Sequence, residues 1–225
     1  MNPLEVILDL LFPPKCPFCG KVLDQPGICP KCEAALPWTY GSESLREGPG
    51  GLRCAAPLWY EDLARDGLLR FKFQGAAGLA EQLGGLIAQC AAERFSGEFD
   101  TVTWVPVSRK RLRKRGYDQA ELLARAACRL WDTAPVRLLA KTEDNPAQSG
   151  IHDAAARRAN VLGVYEPVEM DKIQGKRILL VDDICTTGAT LTECARVLRD
   201  AGAADVACVA AALTRPGKNV HKIEK

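Results

Sequence analysis

The spacing of apolar and polar positions divides the chain into segments of two kinds. Helical spacing marks "MNPLEVILDLLF", where Leu4, Ile7, Leu8 and Leu11 share one face. It also marks "DLARDGLLRFKFQG", ending near Gly75, and residues 78–95, with Leu79, Leu83, Leu86, Ile87 and Cys90 on one stripe. Another helix starts at Asp118, which forms a capping-box-like start with Glu121; Leu122, Leu123, Ala126, Ala127 and Leu130 supply its buried face. A last helix is predicted over 190–200, with Thr190 at its start, Glu193 in its first turn and Gly202 placed to end it. Apolar runs without that spacing mark strands. "DTVTWVPV" (100–107) is β-rich and ends at Pro106. "KRILLVD" (176–182) and "ADVACVAAAL" (204–213) have the unbroken apolar character of strands covered on both faces. "APLWYED" and a stretch near 162–166 read as shorter strands. Strand–helix alternation from 100 to 213 predicts an α/β domain with a mostly parallel sheet flanked by helices.

Two stretches interrupt the pattern. "PWTYGSESLREGPGGLRC" (37–54) is rich in Gly, Ser and Pro and reads as a linker or loop. Residues 141–160 are polar, with Pro146 and Gly150. The expected organisation is a helix and cysteine-rich module over 1–36, a linker over 37–54, the α/β domain over 55–216 and a tail over 217–225.

Composition adds limits. With 225 residues, 47% hydrophobic and 26% charged, the chain has the make-up of a soluble protein with one core and a small appendage. No apolar run approaches the roughly 18–20 residues of a membrane span. The N-terminal segment carries Glu5 and Asp9 and no leading Lys or Arg, unlike a signal peptide, so a cytoplasmic location is expected. A net charge of +2 gives no overall basic excess for nucleic acid. The charge is uneven, however: "RKRLRKR" (109–115) carries six positive charges, directly after a strand end. Arg111, Arg113, Lys114 and Arg115 suit a phosphate-bearing ligand or a nucleic-acid backbone, against the plainer reading of a solvated surface. Tyr117 could stack on a base or pack on the sheet. The two histidines, His152 and His221, read as surface residues.

Four of the ten cysteines fall in residues 16–32, as Cys16-x-x-Cys19 and Cys29-x-x-Cys32. A two-residue gap lets both thiolates of a pair reach one tetrahedral ion, and Pro17, Gly20 and Pro30 suit the tight turns required. Four thiolates close the shell to water, so structural zinc is favoured over iron or disulfides. Cys90, Cys128, Cys194 and Cys208 fall on apolar positions and read as core fillers.

The densest chemistry lies in "KRILLVDDICTTGATLTECARVL" (176–198). In open α/β sheets, ligands bind beyond the carboxyl ends of the strands, where Asp182 and Asp183 are expected. Small residues and hydroxyls follow, then a helix whose dipole favours an anion. Carboxylates repel phosphate, so the acids must address sugar hydroxyls or Mg²⁺, and a sugar phosphate is implied. Neither G-x-x-x-x-G-K-[ST] nor G-x-G-x-x-G after a strand occurs.

This stretch resembles the 5-phosphoribosyl-1-pyrophosphate (PRPP) loop of type I phosphoribosyltransferases. The resemblance implies that Asp182 and Asp183 take the ribose hydroxyls, with Mg²⁺ accompanying PRPP, and that Thr186, Thr187, Gly188, Ala189 and Thr190 take the 5′-phosphate. Together with "VPVSRKRLRKRGYDQAELLA", "NPAQSGIHDAAARRANVLGVY" and the four-cysteine ribbon, it resembles the ComF family of competence-associated proteins over nearly the whole chain. Val107, Ser108 and Arg109 then correspond to the pyrophosphate loop, and 141–160 to a hood over the reacting sugar, where Gln148, Arg157, Arg158 and Asn160 fit the family pattern. Many relatives carry a second cysteine pair where only Cys54 stands here. The usual R-G-F-N-Q reads Arg115-Gly116-Tyr117-Asp118-Gln119. Two functions are implied. One is a PRPP-binding module acting in natural transformation, with single-stranded DNA and DNA-uptake or helicase proteins as partners. The other is an active transferase moving phosphoribose from PRPP to a nucleobase.

Overall fold

In the computed structural model, residues 13–73, 78–144 and 161–216 are described. The N-terminal helix, the greater part of the polar stretch from 141 to 160 and the tail from 217 lie outside them. Helix α1 (Pro30–Ala35) closes the cysteine module. Strands β1 (Leu45–Gly48) and β2 (Leu52–Ala55) follow, within the stretch read as a linker or loop, and then the short β3 (Leu58–Trp59). Helices α2 (Asp62–Phe73) and α3 (Leu79–Phe95) lead to β4 (Thr101–Trp104). Next come α4 (Arg109–Arg115) and α5 (Gln119–Leu130), the hairpin of β5 (Leu139–Lys141) and β6 (Tyr165–Pro167), and α6 (Met170–Ile173). A final unit of β7 (Arg177–Cys185), α7 (Ala189–Asp200) and β8 (Asp205–Leu213) ends the fold.

The main sheet has the order β1-β2-β8-β7-β4, with β3 also pairing to β8; only the β1–β2 pair is antiparallel. β7 and β8 sit at its centre, and their period-2 alternation sorts side chains to two cores. Leu179, Val181, Ala207 and Val209 face α2, α3, α5 and the cysteine module. Ile178, Leu180, Val206 and Cys208 face α7 and the β5–β6 hairpin. Cys90, Cys128, Cys194 and Cys208 are all buried, as core fillers should be.

Two further details differ from the sequence reading. β7 continues past the aspartates to Cys185, because the small Ala210 and Ala212 of β8 keep pairing with Asp182 and Ile184. Leu130, assigned by spacing to a buried face, is 67% exposed. It is the last residue of α5, and Trp131 takes the packing position instead, its ring 5.4 Å from that of Phe99.

Candidate functional site

The cysteine module is built from two knuckles. In the first, Gly20 adopts φ +75° and its N–H donates to the Cys16 carbonyl at 2.8 Å. In the second, Cys29 caps α1 and Cys32 lies in its first turn. The four Sγ atoms of Cys16, Cys19, Cys29 and Cys32 lie within 4.8 Å of one another, with Cys19 and Cys29 3.7 Å apart. A tetrahedral zinc–thiolate shell with bonds of about 2.3 Å needs sulfur–sulfur separations of roughly 3.8 Å, so the cage fits the ion. The N–H groups of Cys29 and Cys32 donate to the sulfurs of Cys16 and Cys29, each at 3.4 Å, the kind of outer-shell contact that orients a metal's ligands. Cys54 is far from this arrangement in role: it is fully buried in β2, opposite Cys208 of β8.

At the carboxyl end of β7, Asp182 and Asp183 point to different sides. Asp183 meets Lys72 from the last turn of α2, Nζ to carboxylate 3.1 Å, and Arg115 at the end of α4 also feels its charge. Asp182 turns to the β5–β6 hairpin, where Lys141 and Tyr165 feel its charge, and accepts the Asp183 backbone N–H at 2.8 Å. Burial and the adjacent Asp183 carboxylate push the Asp182 carboxyl well above the usual carboxylate range. The strand end therefore carries one acid held by a lysine and one whose carboxylate form is disfavoured by burial and by its neighbour.

The loop beyond the acids turns at Gly188, φ +77°, where a Cβ would also stand 2.5 Å from Leu52 Cδ2. Only glycine meets both conditions. Thr187 Oγ1 accepts the Ala189 N–H at 3.3 Å at the start of α7. Ala189 is buried, Thr186 and Thr190 are half-buried and Thr187 is exposed. Small and hydroxyl-bearing groups thus line the mouth of a twelve-residue helix whose dipole favours an anion.

Across the β7–β4 edge, Val107, Ser108 and Arg109 form the connection from β4 into α4. Ser108 is the N-cap of α4, accepting the Arg111 N–H at 3.3 Å and donating to Asp144. Asp118 caps α5 and also holds this connection, accepting the Val107 N–H at 2.9 Å and the Glu121 N–H at 3.3 Å. Burial pushes its carboxyl up to about 6 despite those two donors. The basic run divides by helical geometry. Arg111 and Arg115, four apart, are half-buried on the site side, Arg115 with its guanidinium 5.1 Å from the Phe73 ring. Arg109, Lys110, Arg113 and Lys114 are exposed, with Lys110 3.5 Å from Asp144. Tyr117 does not present a free ring: it lies 5.9 Å from Phe71 and its hydroxyl donates to the Phe71 carbonyl.

Three residues that touch the site or feel its charge carry no local sequence signal. Lys72 sits in an unremarkable helix. Arg46 comes from the far edge of the sheet. Lys141, on β5, lies with Nζ 5.1 Å from the Tyr165 ring centroid, and burial together with the Arg111 charge brings its amine down to about 8. Gln148, His152, Arg157, Arg158, Asn160 and His221 lie outside the described residues.

The chain belongs to the phosphoribosyl transferase domain family, whose model matches residues 112–225. A double zinc ribbon domain matches residues 7–66. Within that second match the described residues form one four-cysteine cage. Among curated proteins, the chain is 28% identical to the competence protein ComFC of Bacillus subtilis (strain 168), over 84% of this chain and 73% of that one. It is 29% identical to ComFC of Streptococcus pneumoniae (strain ATCC BAA-255 / R6), over 85% and 77%. It is 28% identical to the DNA utilization protein YhgH of Escherichia coli (strain K12), over 80% and 81%. The resemblance to ComF proteins, drawn from the motifs, is borne out by these relatives and by the pairing of zinc ribbon with transferase domain. No helix among the described residues is long and apolar enough to cross a membrane.

Proposed function

We propose that the carboxyl edge of the sheet binds PRPP with Mg²⁺, and that the protein acts in DNA uptake as a ComF-type phosphoribosyltransferase-like module. The observation that carries this reading is the pair of acids on β7 followed directly by a glycine-turned loop that opens α7. In it, Asp182 and Asp183 accept the ribose hydroxyls and help retain Mg²⁺. The segment Thr186–Thr190 takes the 5′-phosphate. Val107, Ser108 and Arg109 take the pyrophosphate, with the site-side cations Arg111 and Arg115 beside it. The role in DNA uptake is supported by the relatives named for competence and DNA utilization. The outward Arg113 and Lys114 offer a strip for single-stranded DNA.

Calorimetric titration with PRPP and Mg²⁺ tests the site. Asp182→Asn together with Asp183→Asn should abolish binding while leaving zinc content and circular dichroism unchanged; unchanged affinity would sink the assignment. Pyrophosphate release with a nucleobase would mark an active transferase. If no base reacts but single-stranded DNA binds with a steep salt dependence, the module acts by binding.

A further inference from the structure

Arg46 lies on β1 opposite Cys54 of β2, in the hairpin at the edge of the sheet. Its guanidinium nevertheless reaches the end of β7. Nη1 donates to the Cys185 carbonyl at 3.2 Å and to the Thr186 carbonyl, and Nη2 donates to the Thr214 carbonyl. Thr214 completes the knot. Its backbone N–H donates to the Cys185 carbonyl and its hydroxyl to the Thr186 carbonyl, each at 3.1 Å. A guanidinium has only donors, in a rigid planar fork, so it fixes carbonyls and leaves no freedom of its own.

The consequence follows from peptide geometry. In a trans peptide the C=O of one residue and the N–H of the next point in opposite directions. Holding the Cys185 and Thr186 carbonyls turns the N–H groups of Thr186 and Thr187 to the opposite side of the loop. Thr214 gives each of these carbonyls one neutral donor, and Arg46 adds the charged donors that oppose a rotation presenting negative carbonyl ends where an anion should bind.

We propose that Arg46 is a positioning residue for the loop Thr186–Thr190, orienting two backbone donors toward the phosphoryl group of a sugar phosphate without touching it. The proposal rests on the PRPP reading above and adds a residue from the hairpin next to the ribbon. It also gives that hairpin a purpose beyond closing the sheet edge.

The test compares wild type, Arg46→Lys and Arg46→Met by calorimetry. The two probes are ribose 5-phosphate, which reports the loop, and inorganic pyrophosphate with Mg²⁺, which reports the opposite side of the site. The expected result for Arg46→Met is a loss of about tenfold or more in ribose 5-phosphate affinity, as for removal of charged hydrogen bonds, with pyrophosphate affinity unchanged. Arg46→Lys should fall between, because one ammonium lacks the planar fork that holds three carbonyls together. If Arg46→Met does not fold, Arg46→Lys alone carries the comparison. A ribose 5-phosphate affinity unchanged in the variants would overturn the proposal. So would a parallel loss of both ligands, which would mark Arg46 as a support of the whole fold. Failure of the wild type to bind either probe would instead overturn the reading of the site.

Discussion

Asp118 stands where the resembling family has an amide, and its surroundings give the exchange a measurable cost. It is buried, yet both of its oxygens are used, on the N–H groups of Val107 and Glu121. The raised value of about 6 means that the folded protein holds a proton at pH values where the unfolded chain has released it. For an acid shifted upward, the carboxylate is disfavoured by folding, so stability falls as pH rises from about 4 through about 6. Asp118→Asn removes this dependence. The stability of the variant relative to wild type should therefore grow by roughly 1–2 kcal/mol between about pH 5 and about pH 8. Urea unfolding at the two pH values checks it, and taking the difference between the proteins cancels any shared effect on the zinc cage. The acids Asp182 and Asp183 were legible in the sequence because they adjoin a recognisable turn. Their partners were not. Lys72, Lys141 and Arg46 are brought to the strand end only by tertiary packing, and nothing in their neighbouring residues foretells it.

Legibility at the level of elements follows the same division between local and distant causes. β7, β8, α5 and α7 were readable because unbroken apolar runs and caps are local properties of a sequence. The β1–β2 hairpin was not, because its glycines resemble a linker and its pairing to β8 lies far along the chain. Helix spacing, too, foretells which face is buried but not how closely two faces approach. α3 and α5 meet at Gly84, where an added Cβ would lie 2.4 Å from Ala126 Cβ and 3.1 Å from the Ala127 nitrogen and the Leu123 carbonyl oxygen. Two of those neighbours are backbone and cannot turn aside. At Gly85, one residue on, the nearest atom is Leu130 Cδ1 at 4.0 Å. The two glycines should therefore respond oppositely to the same substitution. Gly84→Ala is expected to destabilise by about 1–3 kcal/mol as the helices are forced apart. Gly85→Ala should stabilise by about 0.5–1 kcal/mol through helix propensity. Thermal denaturation of both variants decides the matter, and equal signs would contradict the packing described.

At the scale of the whole molecule, the zinc ribbon is joined to the carboxyl end of β7 through α2. Phe18 lies between the two cysteines of the first knuckle and is 4% exposed. Its ring sits over Gly67, where a Cβ would approach to 2.9 Å, and Arg70 donates to its carbonyl at 2.6 Å. From the same helix, Phe71 holds Tyr117 and Lys72 holds Asp183. The metal fixes the knuckle, the knuckle seats the helix, and the helix delivers a cation to the strand end. Were the ribbon an independent module on a tether, disturbing its contact with α2 would leave the transferase-like domain unaffected. The packing leads to a different expectation for Phe18→Ala. This variant keeps all four thiolates and should bind one zinc ion per chain, as elemental analysis can verify. Loss of the buried ring should nevertheless lower the stability of the main cooperative transition by about 3–5 kcal/mol. Chelation of zinc from the wild type should act through the same route, lowering the same transition and weakening the proposed PRPP binding as Lys72 loses its fixed place beside Asp183. A main transition unmoved in both experiments would separate the ribbon from the site. Movement in both, with zinc retained in Phe18→Ala, would assign the coupling to packing on α2, because the metal cage in that variant is intact.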